Sequence, residues 1–267
     1  PHVIVPRPRR ERVRPLLPAL RISMRGTLAI ITANLVSMSR LVFLRHAHSM
    51  ANEQGVLSGR LPGISLSKSG FAQAESLIER LGASTFDEIL VSPMERCSQT
   101  ISPWLQSKYS NGVGEYRLED NLNEVDYGLW SGRKLSKLSK DPLWKVIQST
   151  PSKVQFPEGE KIKAAQRRAL NSIHEAHAKK KSGSYLFVSH GDIIKSTIAA
   201  LIGLPLDSFQ NLIVNPASLT VIDFDGNSGR LLSYNDTHSC IASLLTAKKV
   251  GKSLIGGGSG VLKGRKR

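Results

Sequence analysis

Leu41-Val42-Phe43-Leu44-Arg45-His46-Ala47-His48-Ser49 and, far downstream, Tyr185-Leu186-Phe187-Val188-Ser189-His190-Gly191-Asp192 are two apolar runs, each ending on a histidine followed by a small residue. A short apolar run closed by a tight turn reads as a buried strand of an α/β sheet. Ligands of such sheets gather at the carboxyl ends of the strands. Two histidines delivered to that edge, with Arg45 beside the first, point to a phosphoryl-binding catalytic site.

Outward from these runs, strand and helix signals alternate from residue 40 onward. The pattern predicts strands over 41–44, 86–91, 116–118 and 185–189, and a closing hairpin of 219–225 and 230–234 that turns at Asp225-Gly226-Asn227. A helix is expected over 67–82, with Ser67 as its cap, Phe71, Ala74, Leu77, Ile78 and Leu81 on its apolar face and Gly82 as its stop. Further helices are expected from Ser92-Pro93 to about 108, over 160–181 and over 192–202. A loop over 121–133 leads into a lysine-rich helical insert at about 133–160. Such alternation predicts an α/β fold, a three-layer αβα sandwich with a mostly parallel central sheet.

The net charge of +16 over 267 residues suggests a nucleic-acid binder until it is located. Residues 1–39 hold seven arginines and one glutamate, and residues 244–267 hold seven Lys/Arg and no acid, which leaves only +3 for 40–243. The middle is therefore read as one catalytic domain, 40–243. Residues 1–39, with Pro6, Pro8, Pro15 and Pro18 among arginines, are read as a basic disordered extension upstream of the true start. A targeting peptide is the alternative, since the segment is arginine-rich and acid-poor with an apolar stretch, Thr27-Leu28-Ala29-Ile30-Ile31, which is too short to span a membrane. Residues 244–267 read as a Gly-rich flexible tail. No specific nucleic acid and no membrane partner are expected, and no pattern sets an oligomeric state. Cys97 and Cys240 lack partnered spacing, so both are read as small buried or half-buried residues of a reducing, cytoplasmic protein.

The segment Arg45-His46-Ala47-His48-Ser49-Met50-Ala51-Asn52 resembles the R-H-G-x-S/T-x-x-N signature of the histidine phosphatase superfamily, whose fold is phosphoglycerate mutase-like. Further segments resemble that family in order: Leu57-Ser58-Gly59-Arg60, Leu66-Ser67-Lys68-Ser69-Gly70-Phe71-Ala72-Gln73-Ala74, Ser92-Pro93-Met94-Glu95-Arg96, Leu122-Asn123-Glu124-Val125-Asp126-Tyr127-Gly128, Phe156-Pro157-Glu158-Gly159-Glu160 and Ser189-His190-Gly191. The resemblance covers roughly 40–236. It implies a phosphomonoesterase of the histidine acid phosphatase type, acting on a small phosphorylated metabolite through a phosphohistidine on His46. No cofactor and no metal are expected, because arginine and histidine neutralise the phosphate.

The residue chemistry points the same way. A neutral imidazole held in one tautomer exposes its other nitrogen as a nucleophile, which suits His46. Arg45 and Arg96 supply planar, bidentate donors for phosphate oxygens. His190 is expected to donate a further hydrogen bond in the transition state. Glu124 is expected to protonate the leaving oxygen and then to take a proton from water, with Asp126 as the competing carboxylate. Asn52, Ser58, Gly59 and Gly191 are candidate substrate contacts. His48 is read as a pocket wall. His174 and His177 are read as a solvated helix face rather than metal ligands. Asp192 either touches substrate or caps the following helix. Trp130, Trp144 and Phe156 either line the leaving-group pocket or pack the core, and Lys134, Lys137, Lys140, Lys145 and Lys153 form either a cationic lid or a solvated face.

Ala47 departs from the signature, because glycine is usual there and a methyl group crowds any turn that needs φ > 0. The family's mutases carry a paired-arginine segment and a proline-rich stretch, which residues 133–144 lack, so hydrolysis is expected over isomerisation. A cofactor-dependent mutase is the alternative, and a non-catalytic phospho-ligand binding protein is the next.

Overall fold

The computed structural model describes residues 37–110 and 114–247. Most of the basic extension at 1–39 and of the tail at 244–267 lies outside the described residues. Six strands, β1 (Ser39–Arg45), β2 (Glu88–Val91), β3 (Glu115–Leu118), β4 (Ser184–Ser189), β5 (Leu219–Phe224) and β6 (Gly229–Asp236), form one sheet of order β3-β2-β4-β1-β5-β6. The pairings β1·β4, β4·β2 and β2·β3 are parallel, and the β5–β6 hairpin joins β1 antiparallel. Eight helices accompany the sheet in the described residues: α1 (Met50–Glu53), α2 (Lys68–Leu81), α3 (Glu95–Leu105), α4 (Leu135–Leu138), α5 (Pro142–Ser149), α6 (Ile162–Lys179), α7 (Gly191–Leu201) and α8 (Ala242–Thr246). None is long and apolar enough to cross a membrane.

β1 is apolar over residues 41–44 because both of its faces are covered there. Val42 and Leu44 pack with Leu77, Leu81, Ile101 and Trp104 of α2 and α3. Leu41 and Phe43 pack with Ile173, Ile194 and Ile198 of α6 and α7. Alternate residues of one strand thus bind the two helical layers. Met38 and Ser39 are buried, and Leu244 and Leu245 of α8 pack on the core, so packing continues a little beyond both 40 and 243.

Several local expectations change. Phe71 is exposed, because the buried stripe of α2 runs through Gly70, Ala74, Leu77 and Leu81 and leaves its neighbour outside. His177 is buried rather than solvated. Its Nδ1 lies 2.8 Å from Ser39 Oγ, and its ring meets Phe224 edge-on at 5.2 Å. His174 is exposed but also abuts Phe224. Cys240 is exposed, whereas Cys97 is buried. Trp130 and Phe156 are buried in a core cluster with Leu138, Ile147 and Val154 of the insert, and Trp144 stacks on Trp130, so these rings pack the core. The five insert lysines are exposed.

Candidate active site

The register of the sheet creates the site. Arg45 pairs with Ser189 across β1 and β4, so the next residues, His46 and His190, leave the sheet side by side. His46 N donates to Ser189 O at 2.9 Å, and the two imidazoles sit edge to face with centroids 5.2 Å apart.

His46 is buried, and its Nδ1 is 2.8 Å from the carbonyl of Ala47. A carbonyl only accepts, so Nδ1 carries the proton and Nε2 keeps its lone pair. Burial, then the charges of Arg96 and Arg45, hold the ring well below the usual histidine range, so it is neutral at physiological pH. His190 is fully buried at the N-cap of α7. Arg96 Nη2 donates to its Nδ1 at 3.0 Å, which places the ring proton on Nε2, 2.7 Å from Ser92 Oγ. Both ring nitrogens are thus engaged within the protein, contrary to the simple expectation of a poised donor. Burial and the charge of Arg96 also hold this ring neutral.

Arg45 Nη1 donates to Val214 O at 2.6 Å and Arg96 Nη2 to Gly59 O at 2.9 Å. Among the described residues neither guanidinium forms an ion pair, and the Nε of each is buried without a hydrogen-bond partner. A buried Arg96 and a half-buried Arg45, neither held in an ion pair among the described residues, make this a place for an anion. Glu124 is buried on the loop before Val125, and its Oε1 accepts from Val125 N at 2.9 Å. Burial, reinforced by the charge of Asp192, pushes its carboxyl up to about 7, against the pull of Arg96 and Arg45. Asp126 instead accepts from Gly128 N at 3.0 Å and shapes the loop.

The other candidates divide. Gly59 is buried with φ of 51°, and a Cβ there would meet Ser131 Oγ at 2.9 Å, so glycine is required for the loop to close. Ser58 beside it is half-buried. Gly191 lies against Arg45, whose guanidinium would make an ordinary 3.4 Å contact with an added Cβ. Asn52 commits Oδ1 to Ser49 N and Oγ in the capping box of α1, which leaves its amide nitrogen for a ligand. Asp192 does not cap α7. Its carboxylate accepts from the Tyr127 hydroxyl at 2.8 Å and from Lys195 at 2.9 Å.

Ala47 turns out to be unstrained, since it is not among the residues with positive φ. Its methyl group is buried with Leu66, Ala74 and Ala217, and its N–H reaches Thr100 Oγ1 at 2.8 Å. Ala47→Gly is accordingly expected to cost about 1 kcal/mol of stability in urea unfolding and to leave kcat unchanged.

Sequence reading missed a clamp behind Glu124. Arg60 Nε and Arg168 Nη2 both donate to the Glu124 carbonyl, at 2.8 and 3.0 Å. Both guanidinium groups also pair with Glu160 Oε1, at 2.8 and 2.7 Å, and that oxygen accepts from Asp126 N. Arg168 reaches further, to Asn121 O at 2.6 Å. Arg60 and Glu160 lie in recognisable motifs, but nothing local marks Arg168 on α6. Arg168→Ala is expected to lower kcat about 10- to 100-fold with little change in KM, because a slack loop misplaces the carboxyl group. Lysine at 168 should restore only part of this, since one ammonium cannot span three acceptors. Steady-state kinetics on the three proteins checks both.

The family model of the histidine phosphatase superfamily (branch 1) matches residues 41–237. Phosphoserine phosphatase 1 of Hydrogenobacter thermophilus is 29% identical over 202 residues, covering 75% of this chain and 93% of that protein. The adenosylcobalamin/alpha-ribazole phosphatase of Salmonella typhimurium is 30% identical over 186 residues, covering 69% of this chain and 90% of its own length. The crystal structure of the alpha-ribazole phosphatase from Shigella flexneri superposes with a TM-score of 0.64 at 26% identity, covering 75% of this chain and 98% of that one.

Proposed function

This chain belongs to the histidine phosphatase superfamily (branch 1), and on that basis we propose that it hydrolyses the phosphomonoester of a small metabolite through a phosphohistidine on His46. The observation that carries this reading is the neutral His46, its Nδ1 tied to a carbonyl and its Nε2 free, set with two arginines that have no ion-pair partner among the described residues and a carboxyl group pushed up to about 7.

In the first step His46 Nε2 attacks phosphorus in line, and the bond from phosphorus to the ester oxygen breaks. Glu124 gives its proton to the departing oxygen. Arg45 and Arg96 hold the equatorial oxygens. A dianion brought between Arg96 and His190 draws the Arg96 Nη2 donor to itself and favours uptake of a solvent proton at the freed His190 Nδ1, which turns that ring into a cationic donor to the phosphoryl group. Water then attacks the phosphohistidine, Glu124 takes its proton, and inorganic phosphate and free His46 result. Asn52, Ser58 and Gly59 are assigned to the surroundings of the bound ester. A reducing, cytoplasmic location accords with two free cysteines.

Relatives named for phosphoserine and alpha-ribazole esters support a small phosphorylated metabolite as substrate. A panel of such phosphomonoesters, assayed for released phosphate in the presence of a chelator, tests the proposal. Turnover that persists in chelator is expected, and its abolition would contradict the metal-independent route. With 3-phosphoglycerate and 2,3-bisphosphoglycerate, free phosphate should exceed isomerised product, and dominant isomerisation would instead make the protein a mutase.

A further inference from the structure

Beside the loop of residues 214–218, whose Val214 carbonyl takes Arg45, lies a cavity of about 470 Å3. One wall is a single face of α2, where Gln73, Ser76 and Arg80 follow at helical spacing. Asn215, Pro216 and Ala217 before β5, Thr237 and His238 after β6, and His48 complete it. None of His46, Arg45, Arg96, Glu124 or His190 lines this space.

Its chemistry is one-sided. The lining contains a guanidinium group, two imidazoles, two amides and hydroxyl groups, and no carboxylate. Arg80 is the source of charge. It is 6% exposed, its two terminal nitrogens donate to Ala217 O at 2.7 Å and Asp236 O at 2.8 Å, and its Nε has no partner. Its positive charge therefore meets carbonyl dipoles rather than an anion. Asp236, whose field it feels, has its Oδ1 occupied by the N–H groups of His238 and Ser239 at 2.8 and 2.7 Å. A buried cation without a paired anion is costly, and an anion drawn alongside relieves that cost.

Each imidazole also leaves one ring nitrogen that can meet an anion when it carries a proton. His48 spends Nδ1 on Ser67 Oγ at 2.8 Å, and His238 spends Nδ1 on Thr237 Oγ1 at 2.7 Å. Nε2 of each ring is the nitrogen left over. The backbone gives an independent sign. Ala217 has φ of 55°, a left-handed conformation that costs an L-residue about 1–2 kcal/mol. Strain of this kind collects at ligand clamps and switch segments. The strained residue is held by Arg80 through its carbonyl and donates to His46 O at 3.3 Å through its N–H, which puts the cavity wall one hydrogen bond from the nucleophile's backbone.

We propose that this cavity is a second binding site, separate from the catalytic pocket, for the phosphate or carboxylate group of a small anionic metabolite. Arg80 supplies the attracting field, and His48, His238 and Asn215 supply the hydrogen-bonding groups.

NMR titration of the full chain at constant pH, following the rings of His190 and His238 separately, tests this with inorganic phosphate as the probe. Two saturable responses with different midpoints are expected, one at His190 and one at His238. Ser76→Asp places a negative charge on an exposed helical position outside the catalytic machinery. It should weaken the His238 response about 10-fold or more while sparing the His190 response and turnover. His238→Ala provides a second variant, read at His48. Malonate in place of phosphate separates the sources: a response to both anions identifies a general oxyanion site, and a response to phosphate alone identifies a phosphate site. No saturable response at His238 with either anion, or a response that shares the His190 midpoint and ignores Ser76→Asp, overturns the proposal.

Discussion

His46→Ala is expected to reduce phosphomonoester turnover by at least about 10^4-fold, or about 5.5 kcal/mol of transition-state stabilisation. Arg45 and Arg96 remain in the variant and still bind the ester, but no group replaces the imidazole lone pair. Water would then have to attack a phosphoryl group in a place built for a ring nitrogen. His46→Gln keeps much of the volume and the ability to bond Ala47 O without supplying a nucleophile, so it should be equally inactive. Binding of inorganic phosphate should survive in both variants, which separates lost chemistry from lost fold. Rates within about 10-fold of wild type in either variant would place the nucleophile elsewhere.

Glu124→Gln should cost about 10^2- to 10^4-fold in kcat on alkyl phosphates, whose leaving oxygen needs a proton. The size of the loss should depend on the leaving group. With p-nitrophenyl phosphate the departing oxygen is stable as an anion, so the first step proceeds, whereas hydrolysis of the phosphohistidine still lacks its base. A burst of nitrophenol equal to the enzyme concentration is therefore expected in the variant. The pH dependence has a definite sign. Glu124 titrates at about 7 and must be protonated in the first step, so log kcat on alkyl phosphates should fall as pH rises through about 7. His46 is held neutral well below its usual range, so it sets no limb there. Glutamine at 124 should remove the alkaline limb. Its persistence in the variant would assign the proton to another group.

Much of this was legible before any coordinates. β1 and β4 are covered on both faces, so they read as unbroken apolar runs, and the parallel register then obliges the residues after them to meet. That is why His46 and His190 could be paired from the chain alone. What stayed hidden depends on contacts between distant segments. Ser92 takes up the Nε2 of His190, although locally it looks like the opening of a helix. Tyr127 bonds Asp192, and Arg168 holds the Glu124 loop from a helix that otherwise reads as an ordinary amphipathic one. His177 has the spacing of a surface histidine, and only the arrival of Ser39 and Phe224 buries it. Ala47 misled for a different reason. A glycine in a motif suggests a positive φ, but at this position the backbone needs none and the methyl group fills a small apolar space.

The phosphohistidine itself is the feature on which the mechanism stands or falls. Wild-type enzyme mixed with substrate and quenched in alkali preserves a phosphoramidate that acid destroys, and peptide mass spectrometry then locates it. Acid-labile phosphate on the peptide and ring of His46, formed at a rate compatible with turnover and accumulating in Glu124→Gln with p-nitrophenyl phosphate, is the expected result. Phosphate on His48 or His190 instead, or rapid turnover with no phosphorylated histidine trapped in either protein, would contradict it.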